Sequence, residues 1–338
     1  MTIQENISLK PYNTFGLNAH AKYFTRIGNE DNLIALLSDK TLSTEKQLVL
    51  GSGSNILLKG DFDGVVLKNE IFGKEVISET EDKVLVKIGA GENWHQFVLW
   101  SLEQGYFGLE NLSLIPGTVG ASPIQNIGAY GLELKDVFES LEAIEVKTGK
   151  KEVFFKKDCN FGYRNSIFKK KYKGQFYITS VTLRLSRKNT VNVSYGAIQK
   201  VLTEMELEQI TPKAVSDAVI QIRSSKLPNP AVIGNAGSFF KNPAINQSLF
   251  QDLQKKFPSL VFYPLANNYF KIPAGWLIEQ CGWKGKIVGN TGTYKNQALV
   301  IVNHGHATGK EIIDLTEKIE NSVLEKFNIK LDREVNIV

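Results

Sequence analysis

The chain is poor in residues that define several classes of protein. Of its 338 residues only two are cysteines, Cys159 and Cys281, and they stand far apart without metal-ligand spacing. His304 and His306 have no third candidate ligand nearby in the sequence, which favours a loop and no metal. There is neither a run of about 18 apolar residues nor a secretory leader pattern. These absences predict free thiols in a reducing cytoplasm and exclude a disulfide scaffold.

Charge is nearly balanced along the chain. Lysine and arginine number 40 against 35 aspartates and glutamates, which leaves a net charge of +5. The excess is spread out, and its small clusters at Lys169–Lys171 and Lys255-Lys256 are typical of solvated faces. No basic helix or stripe points to nucleic acid, and the mild excess favours small anionic ligands.

Short β-like runs dominate the first third, and helices are indicated by their caps. Candidate domain boundaries lie near Lys68–Gly73 and near Leu227–Pro230, where two prolines interrupt regular structure. Predicted helices begin at Asn93, at Thr211-Pro212 and at the capping box Thr308-x-x-Glu311, with two more bounded by Pro258 and Pro273. The predicted strands are Lys22–Ile27, Gln47–Leu50, Gly64–Leu67, Lys83–Ile88, Ser140–Val146, Lys151–Phe155 and Gln175–Leu185.

The run Gly234–Pro243 combines small residues with reactive ones. Two glycines and an alanine are followed by Ser238, two phenylalanines, Lys241 and Asn242. Glycine permits positive φ and the close approach of a ligand to the backbone, so we interpret Ser238 as a serine held in a site. A glycine turn that leads into a strand is the plain structural alternative.

A second glycine-rich segment, Gly51-Ser52-Gly53-Ser54-Asn55, follows the predicted strand Gln47–Leu50. Successive small residues let main-chain N–H groups converge on an anion. The third glycine of a dinucleotide-binding fingerprint is missing, and Ile56-Leu57-Leu58 resembles a strand rather than a crossover helix. A hairpin turn is the alternative for this segment.

The third such segment, Ile115–Gly131, contains four glycines and two prolines but stays apolar through Val119, Ile124 and Ile127. The prolines restrict the backbone of this segment, and the glycines leave its main-chain groups uncovered by side chains. This composition suits the binding of a flat ring with polar edges. Such a ring would pack on the apolar side chains and would be recognised by main-chain amides. The structural alternative is a tight buried loop.

Taken in order, these segments resemble one family, the UDP-N-acetylenolpyruvoylglucosamine reductases, which are flavoenzymes of peptidoglycan precursor synthesis and so of cell-wall growth and division. Ser194-Tyr195-Gly196 resembles the tyrosine loop of the family's type I branch. The matching motifs span nearly the whole chain: Asn13–Gly16, Gly51–Asn55 (the phosphate loop below), Pro116–Gly131 (the flavin loop below), Phe161–Ser166, Gly234–Pro243 and Glu334-Val335.

The resemblance implies an α+β fold of three domains. Residues 1–70 and 71–227 form an FAD-binding unit of the vanillyl-alcohol oxidase (PCMH) type, and residues 228–328 form a substrate-binding domain. The tail 329–338 is expected to return to the first domain. The resemblance also implies a cytoplasmic monomer with small-molecule ligands and neither a nucleic-acid nor a membrane partner.

The implied reaction is the reduction of UDP-N-acetylglucosamine enolpyruvate to UDP-N-acetylmuramate. NADPH gives a hydride to non-covalently bound FAD, which passes it to C3 of the enolpyruvyl group. By resemblance Arg164 and Glu334 stabilise the resulting enolate, and Ser238 protonates C2. A second ionised carboxylate would repel an enolate, so Glu334 either stays protonated and donates, or orients Arg164 or a water.

The resemblance also assigns the ligand contacts. Tyr195, Lys226, Asn242, Tyr263, Lys271 and Gln297 are implied to bind the UDP-sugar. The implied FAD contacts are Gly51, Ser52, Gly53, Ser54, Asn55, Pro116, Gly117, Thr118, Gly120, Ala121, Ile124, Asn126, Gly128, Tyr130 and Arg223.

One departure and two alternatives remain. Leu331-Asp332-Arg333 precedes Glu334 where many members of the family carry a proline. A related FAD oxidoreductase, such as a sugar oxidase, would share the first two domains. A non-catalytic sensor of sugar nucleotides would keep the pocket but would be colourless and free of FAD.

Overall fold

The computed structural model describes residues 2–39 and 42–338. The chain has an α+β fold. Two compact units are present: the first comprises residues 1–7, 21–52 and 62–224, and the second comprises residues 8–20, 53–61 and 225–338. The three-domain division with boundaries at 70, 227 and 328 stays a prediction.

Seven α-helices are interspersed with strands in the described residues. No helix in the described ranges is long and apolar enough to cross a membrane. The helices are α1 (Glu30–Ser38), α2 (Trp94–Glu103), α3 (Gly196–Glu204), α4 (Pro212–Lys226), α5 (Gln247–Lys256), α6 (Ala274–Gln280) and α7 (Gly309–Phe327).

The strands of the first half are β1 (Ile3–Ser8), β2 (His20–Ile27), β3 (Gln47–Leu50), β4 (Ile56–Leu57), β5 (Phe62–Asn69), β6 (Lys74–Glu79), β7 (Lys83–Gly89), β8 (Gly128–Ala129), β9 (Leu132–Glu133), β10 (Phe138–Glu145), β11 (Lys151–Phe155) and β12 (Phe176–Ser186). Those of the second half are β13 (Gly234–Ser238), β14 (Ala244–Asn246), β15 (Tyr263–Pro264), β16 (Tyr269–Lys271), β17 (Ile287–Val288), β18 (Thr291–Tyr294), β19 (Gln297–Asn303) and β20 (Asn336–Ile337).

The first unit is built on two sheets. One has the order β1-β2-β5-β3, in which β5 runs parallel to both β2 and β3. The other is antiparallel with the order β11-β10-β12-β7-β6. The apolar side chains of β7, β10 and β12 pack with α2 and Val119 of the flavin loop into a buried core. The flavin loop is therefore attached to a closely packed core of this unit.

The parallel pairing of β3 and β5 bears on whether the phosphate loop is a hairpin turn. The phosphate loop follows β3 directly, and a hairpin turn there would make the next paired strand antiparallel. Since β5 is parallel to β3, the hairpin interpretation is wrong. The predicted strand after the loop is confirmed as β4.

The second unit surrounds a sheet with the order β13-β19-β18-β17. Thr308 caps helix α7, and the expected capping box with Glu311 is present. Its apolar stripe, which includes Ile312, Ile319 and Phe327, is buried. The tail strand β20 pairs in parallel with β4 of the same unit. This pairing fixes the residues that follow Glu334.

The sequence-based elements are confirmed with shifts of one or two residues at several ends. Asn93 caps α2 and Pro273 caps α6, as expected. Helices α1 and α3 and several strands, including β1 and the edge strand β6, were not predicted. All six residues of β6 are exposed, so the strand carries no alternation of buried and exposed side chains.

A network of charges ties α1 to the antiparallel sheet of the first unit. The Glu142 carboxylate on β10 accepts from Lys87 at 2.7 Å and forms an ion pair with Lys151, also at 2.7 Å. Lys151 donates to one carboxylate oxygen of Glu30 at 3.0 Å, and the other oxygen of Glu30 accepts from Thr179 at 2.7 Å. Burial by itself would raise the pKa of Glu142, but the two lysines outweigh it and lower the pKa.

We expect Glu142→Gln to lower the free energy of unfolding by about 1 kcal/mol at pH 7. Because the pKa of Glu142 is lowered in the folded protein, its contribution is present above the pKa of an unfolded glutamate, about 4.3. It is lost as the pH falls through the folded pKa. In urea titrations at several pH values the difference from wild type should therefore shrink below about pH 4.3. Glu152→Gln, at an exposed position of β11 without an ion pair among the described residues, is the control. A pH-independent difference would contradict the assignment.

Candidate active site

The phosphate loop presents main-chain donors. Gly53 is in the left-handed region with φ +64. The N–H groups of Ser52, Gly53 and Ser54 have no hydrogen-bond partner within residues 2–39 and 42–338. Consecutive unpaired N–H groups around a left-handed residue form a concave anion site. This geometry fits the pyrophosphate of FAD.

Lys68 adds a positive charge at the same loop, which sequence reasoning missed. Its ammonium group donates to the carbonyl oxygen of Gly51 at 3.0 Å. Burial is the main cause of the lowered pKa of Lys68; it outweighs the attraction of Glu70, which raises the pKa, and the smaller repulsion by Arg26 adds to the lowering. The lysine lies on β5, beside β3, and only the pairing of these strands brings it to Gly51.

Gly53 is required by packing as well as by its φ angle. A Cβ atom there would lie 2.0 Å from the carbonyl oxygen of Tyr12. The N–H and hydroxyl groups of Thr14 both lie near the Gly53 carbonyl oxygen, at 3.2 and 3.3 Å. The Asn13–Gly16 motif therefore packs directly on the phosphate loop.

The flavin loop is fastened to the core by main-chain bonds. Val119 donates to the Glu92 carbonyl at 2.8 Å, and Gly120 donates to the Ala90 carbonyl at 2.9 Å. Within the loop Gly117, Thr118 and Gly120 are buried, Pro116 and Ala121 are exposed, and Ile124, Gly128 and Tyr130 are half-buried.

The Arg164 turn is tied to the flavin loop at three points. Asn126 donates to the Gly162 carbonyl at 3.2 Å, Ser166 donates to the Ile124 carbonyl at 2.7 Å, and Arg164 donates to the Gly128 carbonyl at 2.8 Å. Asn126 is fully buried, and its amide also contacts Glu133 and Lys135. Its side chain therefore shapes the loop from within.

Arg164 is held in an unfavourable backbone conformation. Its φ is +50, which is uncommon for any residue except glycine and costs on the order of 1 kcal/mol or more. Its guanidinium group lies 5.5 Å from the centroid of the Tyr163 ring. Strain of this kind persists where the surroundings over-determine the conformation, and it is frequent at functional sites.

Arg223 and two tyrosines form a cluster beside Arg164 in the first unit. Arg223 on α4 donates from Nε to the Leu114 carbonyl at 3.2 Å and hydrogen-bonds Tyr130. The Tyr130 ring meets the Tyr195 ring edge-on at 5.2 Å. Burial raises the pKa of Tyr130 and lowers the pKa of Arg223. For both groups burial is the largest effect, and it exceeds their mutual attraction, which shifts each pKa in the opposite direction. The charge of Arg164 further lowers the Arg223 pKa, so two cations lie near each other here.

His95 supports this cluster and was also missed. Its Nδ1 accepts from the N–H of Leu114 at 3.0 Å, and Leu114 has φ +58. Burial, and then the charge of Arg223, lower the pKa of His95. The neutral ring is the form that can accept this bond. Nothing in the local sequence distinguishes His95 from a surface histidine of a helix.

Ser238 lies at the end of β13, opposite Val300 of β19. The register shifts between Asn235 and Ser238, and Gly237 within this bulge has φ +70. The expected use of positive φ is therefore confirmed at Gly237. The Ser238 hydroxyl is half-buried and has no hydrogen-bond partner in the described part of the chain. No activating base accompanies it there, so the arrangement does not fit a nucleophile.

The structure brings Glu334 close to Ser238 within the second unit. Glu334 donates from its N–H to the carbonyl of Phe239 at 2.8 Å, and Lys241 donates to the carbonyl of Asp332 at 2.8 Å. The segment around Arg333 therefore runs beside the residues that follow Ser238. The main chain of Glu334 is fixed one residue from the serine.

Arg333 anchors this segment to α7. It makes two hydrogen bonds to the Glu320 carboxylate, at 2.6 and 2.9 Å, and lies 3.8 Å from Glu317. The side chains of Arg333 and Glu320 are only 23% and 24% exposed. A bidentate, partly buried pair is among the stronger surface interactions. It restrains the position at which many family members carry a proline.

The remaining substrate candidates fall into three groups. Asn242 accepts from the N–H of Ala274 at 2.9 Å, and Gln297 lies against Gly275, so both meet the start of α6. Tyr263 and Lys271 face each other across β15 and β16, with the ammonium 5.3 Å from the ring centroid. Lys226 is the last residue of α4 and is exposed.

The histidine pair His304 and His306 and the cysteine Cys159 were two further candidates from the sequence. Within the described ranges, no three histidine, cysteine or acidic side chains are grouped to hold a metal. Cys159 is buried, as expected, and burial raises the pKa of its thiol to about 12. A thiol with so high a pKa is a poor nucleophile.

We expect Gly53→Ala to destabilise the protein by roughly 2–4 kcal/mol, because the new methyl group meets main-chain atoms at a positive φ. Gly60→Ala is the matched control, since its methyl group would meet nothing within 4 Å; its effect should stay within about 0.5 kcal/mol. Urea unfolding of both variants measures the difference. Equal stability of the two variants would refute the packing argument.

Comparisons with known proteins agree with this geometry. Family models match an FAD binding domain over residues 21–153 and the UDP-N-acetylenolpyruvoylglucosamine reductase C-terminal domain over residues 229–338. The UDP-N-acetylenolpyruvoylglucosamine reductase of Flavobacterium johnsoniae is 50% identical over 339 residues, with 100% of both chains covered. That of Amoebophilus asiaticus is 52% identical over 338 residues, again with 100% of both chains covered.

A solved structure supports the fold. The UDP-N-acetylenolpyruvylglucosamine reductase (MurB) from Thermus caldophilus matches with a TM-score of 0.69 over 99% of each chain, at 22% identity. The full-length similarity to the curated relatives is decisive for the family. The chain belongs to the UDP-N-acetylenolpyruvoylglucosamine reductase family and is a flavin-dependent oxidoreductase.

Proposed function

We propose that this chain reduces UDP-N-acetylglucosamine enolpyruvate to UDP-N-acetylmuramate with NADPH, with Ser238 as proton donor. The observation that carries the proposal is the Ser238–Glu334 arrangement. A half-buried serine without an activating base is held next to Phe239, whose carbonyl binds the N–H of Glu334. Acid chemistry at carbon suits such a serine better than nucleophilic attack.

The substrate dictates what the residues must do. Its double bond is conjugated to a carboxylate, so a hydride added at C3 pushes negative charge onto the carboxylate oxygens. The resulting enolate needs positive charge and donors already in place. Arg164 provides a planar guanidinium group suited to a carboxylate. Its strained backbone and its bond to Gly128 support a role that needs a fixed orientation.

FAD, when bound, supplies the hydride for C3 after accepting one from NADPH. The unpaired N–H groups of the phosphate loop, together with Lys68, would hold its pyrophosphate. The flavin loop, including Gly128 and Tyr130, would hold its ring, with Arg223 nearby. The sequence contains no covalent flavin attachment motif at its histidines, so the cofactor is proposed to be non-covalent.

Ser238 would complete the reaction by giving its hydroxyl proton to C2. A serine is a weak acid, but the carbanionic form of the enolate is a much stronger base than most acceptors. Asn242, Gln297, Tyr263, Lys271, Lys226 and Tyr195 are proposed to bind the UDP-sugar, with lysines suited to a diphosphate and amides to hydroxyl groups. A cytoplasmic, monomeric enzyme is part of the same proposal.

One experiment tests the function. The purified protein should show a flavin spectrum and should oxidise NADPH rapidly only when UDP-N-acetylglucosamine enolpyruvate is added. Yellow protein without substrate-dependent oxidation would overturn the proposal. Turnover of a simple sugar with oxygen would favour an oxidase, and FAD-free protein that still binds the UDP-sugar would favour a sensor.

We expect Ser238→Ala to separate the two half-reactions. NADPH should still reduce the flavin at about the wild-type rate, because no proton to carbon is needed. Reoxidation by the enolpyruvyl substrate should fall by at least about 10²-fold, as for the loss of a positioned acid. Stopped-flow absorbance of the flavin measures both steps. Rapid reoxidation in the variant would remove Ser238 from this role.

A further inference from the structure

Asn111 is a buried amide that bridges two functional segments of the first unit. It is 1% exposed and lies in the 3-10 turn Glu110–Leu112. Its Nδ2 donates to the carbonyl of Tyr130 and to the carbonyl of Asn192, both at 3.0 Å. The two acceptors lie 19 and 81 residues away in the chain.

The two acceptors belong to the segments that carry the tyrosine pair. Tyr130 is the penultimate residue of the flavin loop and has φ +50. Asn192 begins the segment 192–195, which leads to Tyr195, and its side chain accepts from both the N–H and the hydroxyl of Ser194. The rings of Tyr130 and Tyr195 meet edge-on at 5.2 Å. One amide therefore holds the backbones behind two rings that touch.

Asn111 itself is rigidly held. The Glu110 carboxylate accepts from the N–H of Gly108 at 2.7 Å. Leu112 donates to Leu109 at 2.8 Å, and its carbonyl accepts from the buried Trp94 indole at 3.0 Å. The bridge is therefore fastened at its base as well as at both acceptors.

The chemistry of the bridge requires a short side chain with two N–H donors. A carboxylate would place acceptors against two carbonyl oxygens, and an apolar side chain would leave both carbonyls unsatisfied. Among the standard residues asparagine meets this need at that distance from the backbone. The two carbonyl acceptors therefore require asparagine at this position, although the Asn111 side chain makes no hydrogen bond to the side chain of any predicted ligand-binding residue in the described part of the chain.

We propose that Asn111 is a positioning residue that sets Tyr195 for the sugar nucleotide by tying segment 192–195 to the flavin loop. The inference rests on the proposed function, in which Tyr195 binds the UDP-sugar. Asn111 acts through the backbone and touches neither substrate nor cofactor. Its loss releases segment 192–195 and leaves Ser238 and Arg164 in place.

The first test is a double-mutant cycle in the holoenzyme. Asn111→Ala should raise the KM for UDP-N-acetylglucosamine enolpyruvate about tenfold, since two hydrogen bonds are lost. The rate of flavin reduction by NADPH should change less than about twofold. In a Tyr195→Ala background the same change should add almost nothing to the KM, because its effect passes through Tyr195. Additive effects would overturn the proposal.

The matched control is Asn69→Ala. Asn69 is another buried asparagine of this unit that joins two strands, with its Nδ2 donating to the Ile178 carbonyl at 3.0 Å. The Asn69→Ala variant should be less stable than the wild type but should keep the wild-type KM. A rise in KM equal to that of Asn111→Ala would mean that general loosening is the cause and would overturn the proposal.

Hydrogen exchange gives a readout that does not need activity. In FAD-loaded Asn111→Ala, amides of residues 192–198 should exchange at least about tenfold faster, while those of β7 and β12 keep their protection. Unchanged exchange in 192–198 would overturn the proposal even if the KM rises. If wild type shows no substrate-dependent turnover, the proposed function fails. Turnover with an unchanged KM in Tyr195→Ala overturns the positioning role alone.

Discussion

Main-chain hydrogen bonds between segments distant in sequence hold the candidate site together. In the second unit, Glu334 is paired to Phe239, which places it beside Ser238. In the first unit, Val119 and Gly120 of the flavin loop are paired to Glu92 and Ala90. Because these bonds use the backbone, they fix the position of a residue without occupying its side chain. The reactive side chains therefore keep their chemistry while their backbones are immobilised.

Main-chain groups also hold the arginine side chains of the candidate site in the first unit. Arg164 and Arg223 donate to the carbonyls of Gly128 and Leu114. A carbonyl oxygen orients a guanidinium group without cancelling its charge. Neutral His95 holds the peptide of Leu114 without adding a further positive charge to those of Arg164 and Arg223.

Much of the architecture could be predicted from local patterns. Strands β3 and β11 have the predicted bounds, and the caps of α2 and α7 are as expected. Such features depend on residues within a few positions of one another, where alternation and capping preferences act. Helices α1 and α3 and strands such as β1 and β6 were not predicted, and β6 in particular carries no periodic signal.

The residues of the candidate site also fall into two groups: those that local sequence patterns identify and those that only the folded structure reveals. The glycine-rich segments, Ser238 and the family motifs could be identified in sequence because each is a contiguous pattern with its own chemistry. Asn111, Lys68 and Arg333 could not, since their roles depend on partners that only the folded chain supplies. Asn111, for example, bonds a carbonyl 81 residues away, and no local pattern specifies which distant carbonyl a buried amide will meet. Local sequence thus set which groups are available, whereas tertiary packing chose their partners, because a hydrogen bond requires a distance and an angle that only the complete fold provides.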